Sequence, residues 1–203
     1  MTITLHEGDL PEGLDLGGVV AIDSETMGLR PERDRLCLVQ LSAGDGDAHL
    51  VKFAKGQYDA PRLKALLTDP KRLKLFHYAR FDIAVMKAYL GVDTASIYCT
   101  KIASKLVRTY TDRHGLKDLC RELLSVEVSK QQQSSDWGAA ILSAEQLAYA
   151  ASDVLYLHQL REHLNDMLKR ENRMDIATAC FQFLSARADL DLIGYGDSDI
   201  FSH

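Results

Sequence analysis

The sequence predicts an α/β domain: a mixed sheet covered by helices. Three observations carry that prediction. Val-, Ile- and Leu-rich runs of strand length fill the first quarter of the chain, strand and helix signals then alternate, and from Arg80 onward apolar residues recur mostly at helical spacing. A length of 203 residues with 46% hydrophobic content fits one substantial core better than two.

The stretch VVAIDSETMGL, residues 19–29, opens as a strand that Gly17-Gly18 and Gly28 punctuate. RLCLVQLS (35–42) and AHLVKF (48–53) also read as strands and are joined by the Gly-Asp-Gly turn at 44–46, so the three form a meander. PRLKALL follows as a helix with Pro61 in its first turn, and RLKLFH (72–77) as a short strand. Beyond Arg80 the chain is predicted helical almost throughout. DIAVMKAYL stops at Gly91, and TKIASKLVRTY and LKDLCRELL follow. A long helix then runs from Ser143, whose spacing to Gln146 fits a capping box, to about Lys169. There is no repeat and no linker.

Composition narrows the function classes. The N-terminus MTITLHEGDL lacks a basic region followed by an apolar run, and no window approaches the roughly 18 apolar residues of a membrane helix, so a cytoplasmic location without membrane contact is expected. Cys37, Cys99, Cys120 and Cys180 are widely spaced and read as buried thiols, not as a zinc site or disulfide framework. A net charge of −5 argues against a basic coat for non-specific nucleic-acid binding, but it allows a local basic patch beside an acidic site.

Such an acidic site has candidates. Asp23 and Glu25 leave their strand on one face while Ser24 leaves on the other. Two carboxylates about 5 Å apart at an effective dielectric near 20 repel by roughly 3 kcal/mol, a conflict that a proton or a divalent cation removes. Asp82 opens the helix after RLKLFH. Asp153 sits mid-helix in YAASDVLYL, where a charge among packing residues needs a partner or a metal, and Tyr149 lies one turn earlier on the same face. Together Asp23, Glu25, Asp82 and Asp153 supply the hard oxygen ligands suited to two ions of Mg²⁺ or Mn²⁺.

AIDSETMGL, FHYARFDIAVM and YAASDVLYL resemble, in order, the three motifs of the DEDD superfamily of 3′→5′ exonucleases, and the likeness is nearest to ribonuclease D. It extends through HGLKDLCRELL (114–124) and SKQQQSSDWGAAILSAEQLAYAASDVLYL (129–157), covering most of residues 18–165. Position 148 is Ala and 149 is Tyr, which places the chain in the superfamily's tyrosine branch. The second motif reads His77-Tyr78-Ala79 where the family often has His-Asn-Ala.

The resemblance implies a ribonuclease-H-like fold with a five-stranded type of mixed sheet, and two-metal hydrolysis of phosphodiesters at single-stranded RNA 3′ ends, in transfer-RNA or other stable-RNA processing. DNA is the alternative substrate, and a catalytically silent RNA-binding module is the rival of another class. One metal is assigned to Asp23, Glu25 and Asp153. Asp23 bridges to the second, which Asp82 holds directly or through water. Tyr149 orients the attacking water. Glu25 meets the terminal 3′ hydroxyl, Met27 and Leu29 wedge against the last base, and Thr26, His77 and Arg80 complete the motif-borne substrate contacts.

Lys101, Lys105 and Arg108, at i, i+4 and i+7, form a basic stripe for the strand, with Arg113 and Lys117 nearby. His158 and His163, five apart on a helix, are structural. Trp137, beside Asp136, is a packing anchor. The whole chain, 1–203, is expected to be one exonuclease domain, with a motif-bearing core at 18–165, a C-terminal helix and acidic tail at 171–203, and no further helical nucleic-acid-binding domain.

Overall fold

The computed structural model describes residues 2–129 and 131–202. Six strands form one sheet in the order β1-β4-β3-β2-β5-β6. β2 (Val19–Thr26), β3 (Leu36–Ser42) and β4 (Ala48–Lys52) make the expected antiparallel meander. β5 (Leu73–Phe76) lies parallel to β2, and β6 (Ile97–Cys99) parallel to β5. β1 (Ile3–Glu7) lies parallel to β4 at the other edge. Both edge strands fall outside the sequence expectation, so the sheet has six strands where the resemblance implied a five-stranded type. β1 has five residues and β6 three, too few for alternation to register.

β3 is buried at every position, because the sheet is covered on both faces and its leucines and valine meet apolar neighbours either way. α1 (Pro61–Thr68) begins on its proline as predicted. α2 (Ala79–Val85) continues through a π-helical turn to Leu90 and stops at Gly91, which takes the left-handed conformation a helix stop favours. α3 (Thr100–Val107) and α4 (Leu116–Leu119) follow.

The long helix expected from Ser143 to Lys169 is two helices, α5 (Ala144–Leu155) and α6 (Leu157–Arg170), meeting at Tyr156. The break has a packing reason: α5 lies across β2, β3 and β4, while α6 turns away onto α3, and one straight rod could not cover both. At the bend, His158 donates from Nε2 to the Val19 carbonyl at 3.0 Å, and it packs against Gly44, where a Cβ would sit 2.7 Å from the ring. The Ser143 capping box is present in both directions. α7 (Met174–Leu190) closes the fold against α2, α3 and β6. No helix among the described residues is long and apolar enough to cross a membrane.

Candidate active site

β2 is longer than β5. Their pairing runs from Val19 opposite Leu73 to Ala21 opposite Leu75, and β5 ends at Phe76, so Asp23 to Thr26 project beyond their neighbour. α2 begins just past that end and brings Asp82 in beside the overhang. α5 lies on the other face of β2 and brings Asp153 and Tyr149. The offset between two strands thus lets carboxylates from three elements converge.

Asp23, Glu25 and Asp153 each offer an oxygen within 4.8 Å of the others. Asp82 stands apart from this trio: it is buried and accepts a 2.6 Å hydrogen bond from the Ser24 hydroxyl. Burial raises the Asp23 carboxyl well above its usual range, and Asp82, Asp153 and Glu25 add to the rise in that order. Burial, then Asp153 and Asp82, push Glu25 to about 9. Asp82 reaches about 7, because burial outweighs the lowering pull of the Ser24 hydroxyl. An oxygen-only donor set at this spacing, each member strained by its neighbours' charge, fits divalent cations of the Mg²⁺ or Mn²⁺ type.

Burial first, and then Asp153, hold the Tyr149 phenol protonated far above its ordinary pKa, and the hydroxyl is hydrogen-bonded to Asp153. Trp137 is buried with its ring 6.0 Å from that of Tyr149, the packing anchor its sequence position suggested.

The carboxylates floor a cleft of about 710 Å³. Thr26, Met27, Leu29, His77 and Lys101 all line it. The loop after β2 is rigidly tied: Met27 N–H donates to the Arg35 carbonyl at 3.1 Å, Thr26 Oγ1 donates to the Gly28 carbonyl, and Gly28 lies so close to Asp34 that a Cβ would meet its Oδ2 at 2.2 Å. Leu29 nevertheless remains 85% exposed, an apolar side chain held out over the cleft instead of buried. His77 shares a 2.9 Å hydrogen bond with Thr100. Tyr78, at the position where the family often carries Asn, adopts the left-handed conformation with φ 69°. Asn tolerates that region, whereas for Tyr it stores about 1–3 kcal/mol of strain. Its half-exposed ring has the Lys101 ammonium 4.2 Å from its centroid.

Two predicted substrate contacts are corrected. Arg108 is fully buried. α3 ends at Val107, so Arg108 leaves the helical stripe and turns inward to Ser104 Oγ (3.1 Å), the Arg113 carbonyl (2.6 Å) and Glu122. Arg80 is held by the C-terminal segment, donating to both oxygens of Asp191 at 2.6 Å. Lys105 faces a neighbouring apolar groove between α3 and α7, which meets the cleft at Tyr78 and Lys101. Cys180, expected to be buried, is half-buried and lines that same groove, while the other three cysteines are buried.

The sequence reading missed Ser24, because a residue on the opposite face of a strand gives no sign of its partner. It also missed the cleft-lining Gln133, Ser134 and Ser135, whose only signal is the polar run before Trp137.

The family described as 3′-5′ exonuclease matches residues 9–169. The chain belongs to the 3′-5′ exonuclease family. Ribonuclease D of Gluconacetobacter diazotrophicus is 35% identical over 166 residues, which is 82% of this exonuclease chain and 42% of that protein, so the chain spans less than half the length of that relative. NrnC of Brucella melitensis with bound Mg²⁺ is 53% identical over the full length of both chains, with a TM-score of 0.96. The same protein bound to pGG is 54% identical, with a TM-score of 0.97, over 100% of this chain and 99% of that one. The mixed six-stranded sheet is the ribonuclease-H-like fold of these exonucleases.

Proposed function

We propose that the chain is a 3′→5′ exoribonuclease that hydrolyses phosphodiester bonds at single-stranded RNA 3′ ends. The observation that carries the reading is the convergence of Asp23, Glu25 and Asp153 within 4.8 Å on the floor of a cleft that can take a strand end, with the Tyr149 hydroxyl against Asp153. The binding of pGG by the Brucella relative supports short, guanosine-containing RNA as part of the substrate range.

In this reading Asp23, Glu25 and Asp153 would hold one cation, and Asp23 with Asp82 a second. When bound, the two cations supply Lewis-acid activation of a water and neutralise charge on the leaving 3′ oxygen. The protein's own groups do the rest. Tyr149, a neutral phenol, orients the water toward phosphorus and cannot serve as its base. Ser24 fixes Asp82 from the opposite face of β2. Leu29 and Met27 flank the terminal base and limit how far the strand enters. Lys101 and Lys117, both on the cleft wall, face its phosphates.

The test is direct. Matched RNA and DNA oligomers with 3′ hydroxyls, together with pGG, are incubated with Mg²⁺ or Mn²⁺ and the products resolved at single-nucleotide length. Stepwise shortening of RNA from the 3′ end, stopped by chelation, is expected. A preference for DNA would reassign the substrate, and binding of RNA without cleavage would identify a silent binding module.

A further inference from the structure

The chain turns from β5 into α2 through a left-handed residue, and the fold does not explain why that residue is tyrosine. Tyr78 takes φ 69°, where Gly or Asn is at ease and an aromatic side chain is strained. It is the N-cap residue of α2, yet its side chain makes no capping bond. The ring is 46% exposed, so burial offsets little of the strain. Backbone strain that packing does not explain gathers at ligand sites.

The place of the ring supplies a reason. Tyr78 lies just past the end of β5 and lines the cleft floored by Asp23, Glu25 and Asp82. It also lines the apolar groove beside that cleft, so it stands at the border of the two cavities. Lys101 lines both as well and holds its ammonium 4.2 Å from the ring centroid. No second aromatic ring packs against Tyr78 among the described residues. A half-exposed aromatic face with a cation beside it has the chemistry that receives an unstacked nucleobase together with its phosphate.

We propose that Tyr78 is a specificity-determining residue, its ring a stacking platform for the base of the penultimate nucleotide, on the 5′ side of the scissile phosphate. The proposal rests on the exoribonuclease reading above and deepens it. In that reading Met27 and Leu29, on the loop after β2, flank the terminal base. The next base then falls on the far side of the scissile phosphate, where Tyr78 borders the cleft. Stacking accepts every base because each has a π face, and a purine offers the larger one. The expected selectivity is therefore for purine over pyrimidine at this nucleotide, not for a single base.

The probe is a short RNA oligomer with a 3′ hydroxyl and either adenine or an abasic ribose at the penultimate nucleotide, and the initial rate of the first cleavage is followed in Mg²⁺. Tyr78→Ala should raise KM for the adenine form about 5- to 100-fold, the range of a lost base-aromatic stack, with kcat at saturation within about threefold of wild type. In the wild type the abasic ribose should raise KM by a similar factor. In Tyr78→Ala it should add little, because both changes delete the same contact. Tyr78→Phe keeps the ring and should restore KM. Tyr78→Asn separates recognition from folding: with the strain relieved, Tm should rise by a few degrees while KM rises as in the alanine variant. A merely structural tyrosine would move Tm alone. Abasic and Tyr78→Ala effects that multiply independently, or wild-type KM in folded Tyr78→Asn, overturn the proposal. If the wild-type protein leaves the adenine oligomer uncut, the exoribonuclease reading fails and takes this inference with it.

Discussion

Two clusters of charge lie within this protein, and they are built in opposite ways. Arg108 is fully buried, yet its guanidinium donates to Ser104 Oγ, to the Arg113 carbonyl and to Glu122, with Tyr110 beside it. Its charge is balanced by the fold. At the end of β2, by contrast, the groups that act on Glu25 are burial and further carboxylates, all pushing its pKa the same way. Balanced buried charge is a structural device, and concentrated like charge is a binding device waiting for its counterion. The same chain shows the contrast in a single residue type: Asp34, gripped by Arg33 and the Arg30 amide, falls to about 2, while Asp82 rises to about 7.

The largest expected effect breaks the acidic side of this comparison. Asp23→Ala or Asp153→Ala should abolish hydrolysis while leaving a folded protein whose metal-free Tm matches or exceeds wild type, because a source of repulsion has gone. Thermal melts in chelator, run beside RNA degradation assays, check both halves. Hydrolysis surviving in purified Asp23→Ala protein would sink the two-metal assignment.

Tyr149→Phe comes next. The phenol is held protonated and bonded to Asp153, so its loss should lower kcat by about 10- to 1000-fold with little change in KM, the pattern of a lost positioning contact. Single-turnover rates decide whether chemistry is the step affected.

On the balanced side, Arg108→Met removes a buried cation and strands its acceptors. It should cost about 3 kcal/mol of stability, measured by urea denaturation, while kcat at saturating substrate stays near wild type. A large loss of kcat in the folded variant would return Arg108 to the substrate contacts.

The pH dependence of the metal-free protein sharpens the contrast further. Asp23, Glu25 and Asp82 all have folded-state pKa values above their unfolded ones, so the folded protein binds more protons between the ordinary carboxylate range and about 9. Stability from this source is fully present below the unfolded pKa values and is lost as pH rises through the folded ones. Tm in chelator should therefore fall from pH 5 to pH 9, and saturating Mg²⁺ should flatten the profile. A chelated protein with Tm independent of pH across that window would mean the cluster is less crowded than its geometry implies.

How much of this was legible in the sequence depended on whether the deciding physics was local. Asp23 and Glu25 could be placed because a strand alternates faces, and Asp153 because a charge inside an apolar helix has to be accounted for. The β2-β3-β4 meander and the Ser143 cap were equally local. Arg108 was misplaced because i, i+4, i+7 spacing assumes that the helix continues, and α3 stops one residue before it. Arg80 looked available until the tail supplied Asp191, 111 residues away. Ser24 carried no signal at all, since it matters through Asp82, a neighbour that only the placement of α2 reveals.

The smallest effect concerns the basic stripe, which the structure divides. With Arg108 buried, a three-contact track along α3 is excluded, and the lysines that line the cleft are Lys101 and Lys117. Two contacts to a single strand correspond to a slope of about −1.4 in log affinity against log[salt], at roughly −0.7 per contact. Lys101→Ala should flatten the slope by about 0.7 and raise KM several-fold, because the side chain sits beside the scissile end. Lys105→Ala, in the adjoining groove, should change KM by less than twofold for a dinucleotide such as pGG. Should Lys105→Ala raise KM only for longer RNA, the strand leaving the active site runs across Tyr78 into that groove. Equal KM for all lengths confines the polyanion to the cleft walled by Lys101 and Lys117.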